Sequence, residues 1–384
     1  MKERRTRLWS LVLGILPFLS LLALTACHRS SDTAPGPESE LTYASAQAAR
    51  ETGSVPVFGD VADDPAIWVH PEDPALSIII GTDKHEKRGG LRIYDLSGNE
   101  LHFLQVGKSN NVDVRYDFPF GDAKVDIAGS TNRAENSIQV FAINPEDRSL
   151  TRIDDGTLTS GPGSTEVYGF SLYHSCSTGR FYAVCGLYDG TVEQWELVDN
   201  GMGKVSGRKV KTYAFGGVCE GIAADDQKDE LYIAEENVGL WKVDAAPDAS
   251  NEPKSIQKIS ENPYIHKDLE GVALYVGDNG GGYVLVSSQG TDSYAVYDRE
   301  DGSYAGSFRI VDGPVIDGVS DTDGIEVLSY GIPGLFPDGF FIVQDDVNFD
   351  GQEKSKQNFK LVDWRAIANS SLGLKINSGN NPRN

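Results

Sequence analysis

The chain has 384 residues, 39% hydrophobic and 24% charged: enough apolar sequence for a folded core, and too much for wholesale disorder. Its formal net charge is -23, with 57 Asp+Glu against 34 Lys+Arg. That balance excludes nonspecific binding to nucleic acid or anionic lipid and fits a protein that collects cations.

At the N-terminus, Lys2, Arg4, Arg5 and Arg7 precede an apolar run from Leu8 to Leu24. Leu24-Thr25-Ala26-Cys27 then resembles a bacterial lipobox, whose cysteine is lipidated and becomes the mature N-terminus; an ordinary signal peptide is the alternative. Residues 1–26 read as a signal peptide outside the fold. Residues 27–53 read as a polar flexible tether, 54–369 as the folded domain, and 370–384 as a frayed polar tail. The expected location is the bacterial cell envelope, held by lipid on Cys27 at the outer membrane or cell surface, with free secretion as the alternative. The lipid is the only expected membrane contact, and the domain is expected to be a monomer. Cys176, Cys185 and Cys219 can form at most one disulfide and read as packing residues.

From residue 60 onward, short strand-like runs alternate with Gly/Asp/Asn clusters and recur about every 50 residues. An acid opens the first strand of each unit: Asp64, Asp113, Glu166, Glu220, Glu270 and Asp323, with Asp113 the loosest match. Second strands follow from Ser77, Val125, Phe181, Leu231, Tyr283 and Phe340. Third strands carry Tyr94, Phe141, Trp195, Trp241 and Tyr297, and Val362 stands in the sixth. Six units of about four strands describe an all-β protein, a six-bladed β-propeller. The aromatic stripe reads as packing between blades.

First strands line the channel of a propeller, so the repeated acids should crowd one mouth. Carboxylates held that close repel unless cations neutralise them, and hard oxygen ligands suit Ca²⁺; a solvated acidic rim is the bland alternative. Second strands end at the same mouth, which brings Lys84, Lys87, Arg88 and Arg133 to it. Such a mixed patch predicts an anionic substrate bound partly through bridging metal, with Arg suited to phosphate. The run from Asp346 through Asn348 and Asp350 to Gly351 matches half of a calcium loop. Its twelfth position is Gln357 and no flanking helices are predicted, so an EF-hand is rejected and a partial loop stands beside an Asx-rich turn. No Arg-His-Gly or Gly-x-Ser-x-Gly occurs, so a covalent nucleophile has no candidate and metal-activated water does.

Asp63-Asp-Pro-Ala-Ile-Trp68, Asn110-Asn-Val-Asp-Val-Arg-Tyr-Asp-Phe-Pro119, Glu166-Val-Tyr-Gly-Phe170, Glu220-Gly-Ile-Ala-Ala-Asp-Asp226, Tyr232-Ile-Ala-Glu-Glu236, Ser287-Ser-Gln-Gly290, Ser320-Asp-Thr-Asp-Gly324 and Gln357-Asn-Phe-Lys360 together resemble the β-propeller phytases, in order, over about residues 60–365. The resemblance implies a calcium-dependent 3-phytase that hydrolyses phytate, myo-inositol hexakisphosphate, as its calcium complex, by in-line attack of calcium-bound water. It implies several Ca²⁺ ions held by Asp63, Asp64, Glu220, Glu236, Asp268, Glu270, Asp317 and Asp323, with a structural site at Gln344, Asp345 and Asn348. Arg133 and Tyr168 would contact phosphate, with Glu220 and Asp323 beside them in the catalytic subsite. Lys84 would bind phosphate, with Lys87 or Arg88 as its basic neighbour. The segment 186–190 lacks the lysine that the family often places in its affinity subsite. Two other classes remain open on the residues alone: a propeller hydrolase such as a calcium-dependent lactonase, and a non-enzymatic binding platform.

Overall fold

The computed structural model describes residues 41–160, 165–350, 353–354 and 356–383. The signal peptide and Cys27 lie outside the described residues, and so does Gly351. The compact unit Leu41–Asn384 contains six sheets that follow one another along the chain, each with its first strand innermost. Blade one holds Ala62–Trp68, Ile78–Asp83, Gly90–Asp95 and Glu100–Gln105; blade two begins with Ser109–Phe120, blade three with Val167–His174 and blade four with Cys219–Asp225. Blade five begins with Val272–Val276 and blade six with Ile325–Leu328. This is the expected six-bladed propeller. Tyr94, Phe141 and Tyr297 are buried, as packing residues should be. Trp241 is only half-buried and donates Nε1 to Glu235 at 2.9 Å.

Blade six has three strands of its own, and the N-terminal segment completes it. Arg50–Glu51 pairs antiparallel with Asn358–Asp363, and Ala44–Ala46 adds a parallel fifth strand to Tyr304–Ile310 of blade five. An open sheet edge would expose unpaired backbone groups; here the segment 44–51 covers the outer edges of blades five and six. The fold therefore takes in residues 44–53, which the sequence assigned to a tether.

The C-terminal tail is likewise docked rather than frayed. Asn377 exchanges hydrogen bonds with the Tyr275 hydroxyl at 2.6 and 2.7 Å. Arg383 grips Asp126 at 2.6 and 3.1 Å, donates to the Val69 carbonyl at 3.0 Å and lies over the Tyr116 ring. A channel cavity of roughly 230 Å³ runs between the inner strands, from Asp64 and Glu270 at one end to Asn380, Asn381 and Pro382 at the other. The tail thus closes the mouth opposite the acids. Its polarity concealed this, because its partners are polar groups at strand ends.

In blades one to four, one extra residue interrupts the pairing of the first strand with the second, between Ala62 and Pro65, Ser109 and Val112, Val167 and Phe170, and Cys219 and Ile222. These are β-bulges, which re-aim a side chain. Glu270-Gly271 and Asp323-Gly324 stand at the same register in blades five and six. Bulge position two is glycine in four blades because the next blade abuts it. A Cβ on Gly169 would lie 2.1 Å from the Glu220 carbonyl, and one on Gly324 would lie 2.5 Å from the Asp64 Cα.

Arg383→Ala should lower stability by about 1–3 kcal/mol, since it removes the counter-ion of the buried Asp126 carboxylate and leaves the Trp68 indole and Asp117 amide as its donors. Urea unfolding of the two proteins measures it, and an unchanged midpoint would mean the tail is merely laid against the domain.

Candidate active site

The bulges decide which side chains meet at the mouth. Position one reads Asp63, Asn110, Tyr168, Glu220, Glu270 and Asp323 around the ring. This corrects the repeat read from sequence in three blades. Asp64 sits at position two and accepts the Val112 amide at 3.0 Å, tying blade one to blade two. Asp113 lies farther down the channel, paired with Arg115 at 2.9 Å and Ser171 at 2.9 Å. Glu166 precedes the bulge and reaches the rim instead. Spacing alone could not resolve a shift of one to three residues within a motif of Asp, Asn and Gly.

Lys84 enters the ring from the end of the second strand of blade one. Its ammonium lies 2.8 Å from Asp323, 2.8 Å from Asp60 and 3.6 Å from Asp63. Burial alone would lower its pKa, but Asp63, Asp323 and Glu220 together raise it. Gln289 divides its amide between Glu270 and Asp323, both at 2.8 Å. Sequence reasoning quoted the Ser-Ser-Gln-Gly motif without assigning this bridge, and it missed Asp60.

The remaining carboxylates are under-compensated. Burial pushes Glu220 up to about 8, helped by Asp323, and Glu236 up to about 7, helped by Asp268 and Asp323. Glu270 rises to about 12, first through burial and then through the charges of Glu220 and Asp323. Asp63 is fully buried and raised well above its ordinary value, again chiefly by burial. Neither oxygen of Asp63 nor Oε1 of Glu236 has a hydrogen-bond partner. Buried, orphaned carboxylate oxygens fit a hard divalent cation. Among the described residues no three His, Cys, Asp or Glu side chains form a closed metal cluster; Lys84 and Gln289 stand between the acids.

The rim carries the anion-binding groups. The Arg133 guanidinium lies over the Tyr168 ring at 4.8 Å, donates Nε to Glu166 at 2.7 Å and Nη1 to Asn110 at 3.0 Å. Burial, then Glu220 and Asp63, raise the Tyr168 pKa, so its hydroxyl stays protonated as a donor. Lys108, absent from the sequence reading, stands 3.9 Å from Glu166 and 3.6 Å from Glu86. Lys87 and Arg88 are exposed, with their backbone amides capped by His85 Nδ1 at 3.2 and 3.1 Å. Tyr188, in the segment without the family lysine, packs edge-on against Tyr168.

The second expected metal site is arranged around an ammonium. Lys360 Nζ is fully buried, contacts Asp317, lies 2.8 Å from Asp345 and donates to the Gly318 carbonyl at 2.6 Å. Gln344 accepts the Asp323 amide at 2.9 Å, so it supports the ring. Asn348 donates to the Lys356 carbonyl at 3.3 Å, and its own oxygen is buried without a partner. Gln357 accepts the Val61 and Ala62 amides at 2.6 and 2.7 Å and donates to Asp346. The segment after Asp346 forms a small hairpin, Phe349–Asp350 with Glu353–Lys354. Cys176, Cys185 and Cys219 are all free, the last two buried.

A family model described as Phytase matches residues 10–384. A 3-phytase of Bacillus subtilis (strain 168) is 42% identical over 371 residues, covering 96% of this chain and 94% of that protein. Among solved structures, the β-propeller domain of Myceliophteria thermophila Cps50 (Swd1) aligns with a TM-score of 0.44 and 11% identity, over 78% of this chain and 82% of that one.

Between its ordinary value of 4.5 and about 8, Glu220 holds more protons in the folded than in the unfolded chain. Its contribution to stability is therefore lost as pH rises through that window. In EDTA, Glu220→Gln should raise the melting temperature at pH 8 and change it little at pH 4.5. Equal shifts at both pH values would show that charge at Glu220 is not the cost.

Proposed function

This chain belongs to the phytase family, and we propose that it is a calcium-dependent phosphomonoester hydrolase that removes phosphate from phytate, taken up as a calcium complex. The observation that carries the reading is the meeting, at one channel mouth, of under-compensated carboxylates with Lys84 and Arg133. A substrate dense in phosphate needs cations on both sides of each contact. The rim supplies fixed ones, and the ring supplies places for mobile ones.

Asp63, Glu220, Glu236, Glu270 and Asp323 are the residues that would hold calcium, with Asp268 beside Glu236. When bound, calcium would cancel the charge of ring and substrate together and act as a modest Lewis acid toward water and phosphate. The chain's own groups do the orienting. Arg133 has five N–H donors, of which Glu166 and Asn110 take three. Two remain for phosphoryl oxygens. The Tyr168 hydroxyl and Lys84 add donors from either side of the ring, and together these groups stabilise charge that grows on the equatorial oxygens. In the reaction a water oxygen bonds to phosphorus as the bond from phosphorus to the inositol oxygen breaks. The water gives up a proton and the leaving alcohol takes one.

Phosphate release from phytate, assayed in calcium and in EDTA, tests the reading. Release in calcium and its loss in EDTA are expected, with Arg133→Ala slower by about a hundredfold. No release in either buffer would overturn the substrate, and undiminished release in EDTA would overturn the calcium requirement.

We also propose that lipid on Cys27 holds the enzyme at the cell envelope, on the strength of the basic, apolar and lipobox-like run before it. Mass spectrometry of the mature N-terminus should find an acylated Cys27. An unmodified start beyond it, with the protein in the medium, would sink the anchor.

A further inference from the structure

Five of the six ring positions carry an acid or a phenol, and the sixth is Asn110. Its side chain is completely buried. Its Oδ1 accepts Arg133 Nη1 at 3.0 Å, and its Nδ2 donates to Glu220 Oε1 at 2.7 Å and to Asn111 Oδ1 at 2.8 Å. The amide orientation follows from Arg133: a guanidinium can only donate, so the atom facing it is the oxygen and the amide nitrogen faces Glu220. Only a side-chain amide offers an acceptor to a cation and donors to an anion from one short rigid arm. An aspartate here would place a like charge against Glu220. An apolar residue would leave a buried Glu220 oxygen and an arginine N–H without partners.

We propose that Asn110 is a positioning residue that holds the phosphate-gripping guanidinium of Arg133 and the ring carboxylate of Glu220 in fixed relation. This inference rests on the phytase reading above. Glu166 anchors one edge of the guanidinium and Tyr168 lies beneath its plane. Asn110 sets the remaining in-plane rotation, and so the direction of the two free N–H groups. By the same amide it restrains Glu220, one of the oxygens offered to calcium. The anion subsite and the cation subsite thereby share a single buried side chain.

The test compares wild type, Asn110→Ala and Asn110→Asp. Inorganic sulfate serves as a tetrahedral anion probe, titrated calorimetrically in calcium buffer, and calcium is titrated in the absence of anion. Phytate turnover is measured alongside, with unfolding in EDTA as the check on folding. Asn110→Ala should weaken sulfate binding about tenfold or more and lower kcat by a similar factor with a smaller change in KM. Asn110→Asp keeps an acceptor for Arg133. It should bind sulfate within about threefold of wild type, while calcium affinity shifts about threefold or more because Glu220 loses its donor and gains a like-charged neighbour. A purely structural role would lower unfolding stability and leave sulfate binding unchanged.

A folded Asn110→Ala with wild-type sulfate affinity and kcat overturns the proposal. If the alanine variant does not fold, the near-isosteric aspartate decides, and unaltered calcium affinity there overturns it. Should wild type release no phosphate from phytate while Asn110→Ala still loses sulfate binding, the phytase reading fails and the positioning role stands.

Discussion

The molecule is organised around a penalty: several carboxylates held within a few ångströms in a partly dry channel mouth. Each ionised acid in such a place raises the cost of ionising the next. Burial and mutual repulsion lift Glu220, Glu236 and Glu270 well above the ordinary carboxylate range. On the proposed reading, the penalty would become binding energy when a divalent ion, and with it an anionic substrate, restored the balance. A fold that stored this repulsion without a rigid frame would relax by moving the acids apart.

The propeller supplies the frame. Six sheets place six equivalent backbone positions around one axis, and a bulge at the start of blades one to four turns the side chain toward the mouth. Glycine at the second of these positions in four blades lets the inner strand press on the next, as Gly169 does on Glu220 and Gly271 on Asp323. Ring closure then depends on the edges. Arg50–Glu51 completes blade six, and the tail ties Tyr275 and Asp126 at the far mouth. The segments 44–53 and 377–383 therefore help keep the acids from spreading.

Most of the fold was legible because a propeller repeats itself. The period of about 50 residues, the strand-turn alternation and the aromatic third strands each point to six blades. Lys84, Arg133, Glu220, Glu270 and Asp323 were reachable by the same register argument, and all five meet at one mouth. The errors share one cause. A bulge inserts one residue, and sequence periodicity cannot tell whether Asp63 or Asp64, or Asn110 or Asp113, takes the position at the mouth. The same limit hid Asn110, whose neutral side chain breaks the pattern of acids that made the ring visible. Segments 44–53 and 377–383 were misread for another reason. Their contacts are chiefly backbone pairs, tyrosine hydroxyls and one buried ion pair, and the only apolar side chains that the first segment buries are small, Ala44 and Ala46.

Three internal cations separate the acids that are already satisfied from those that are not. Lys360 is enclosed by Asp317, Asp345 and the Gly318 carbonyl. Arg115 lies in the channel against Asp113 and Asp226, at 2.9 and 2.7 Å, with the Val114 carbonyl as a further acceptor. In both places a covalently attached cation is matched to two carboxylates, an arrangement that specifies geometry more than it adds stability. The mouth differs. Lys84 is a single ammonium set among Asp60, Asp63 and Asp323, with Glu220, Glu236 and Glu270 still to be balanced and Asp63 left without a hydrogen bond. One fixed charge against that many acids leaves the site short of positive charge in a place open to solvent. The pairs closed from within at Lys360 and Arg115 contrast with this mouth, and the proposed calcium would supply the positive charge that it lacks.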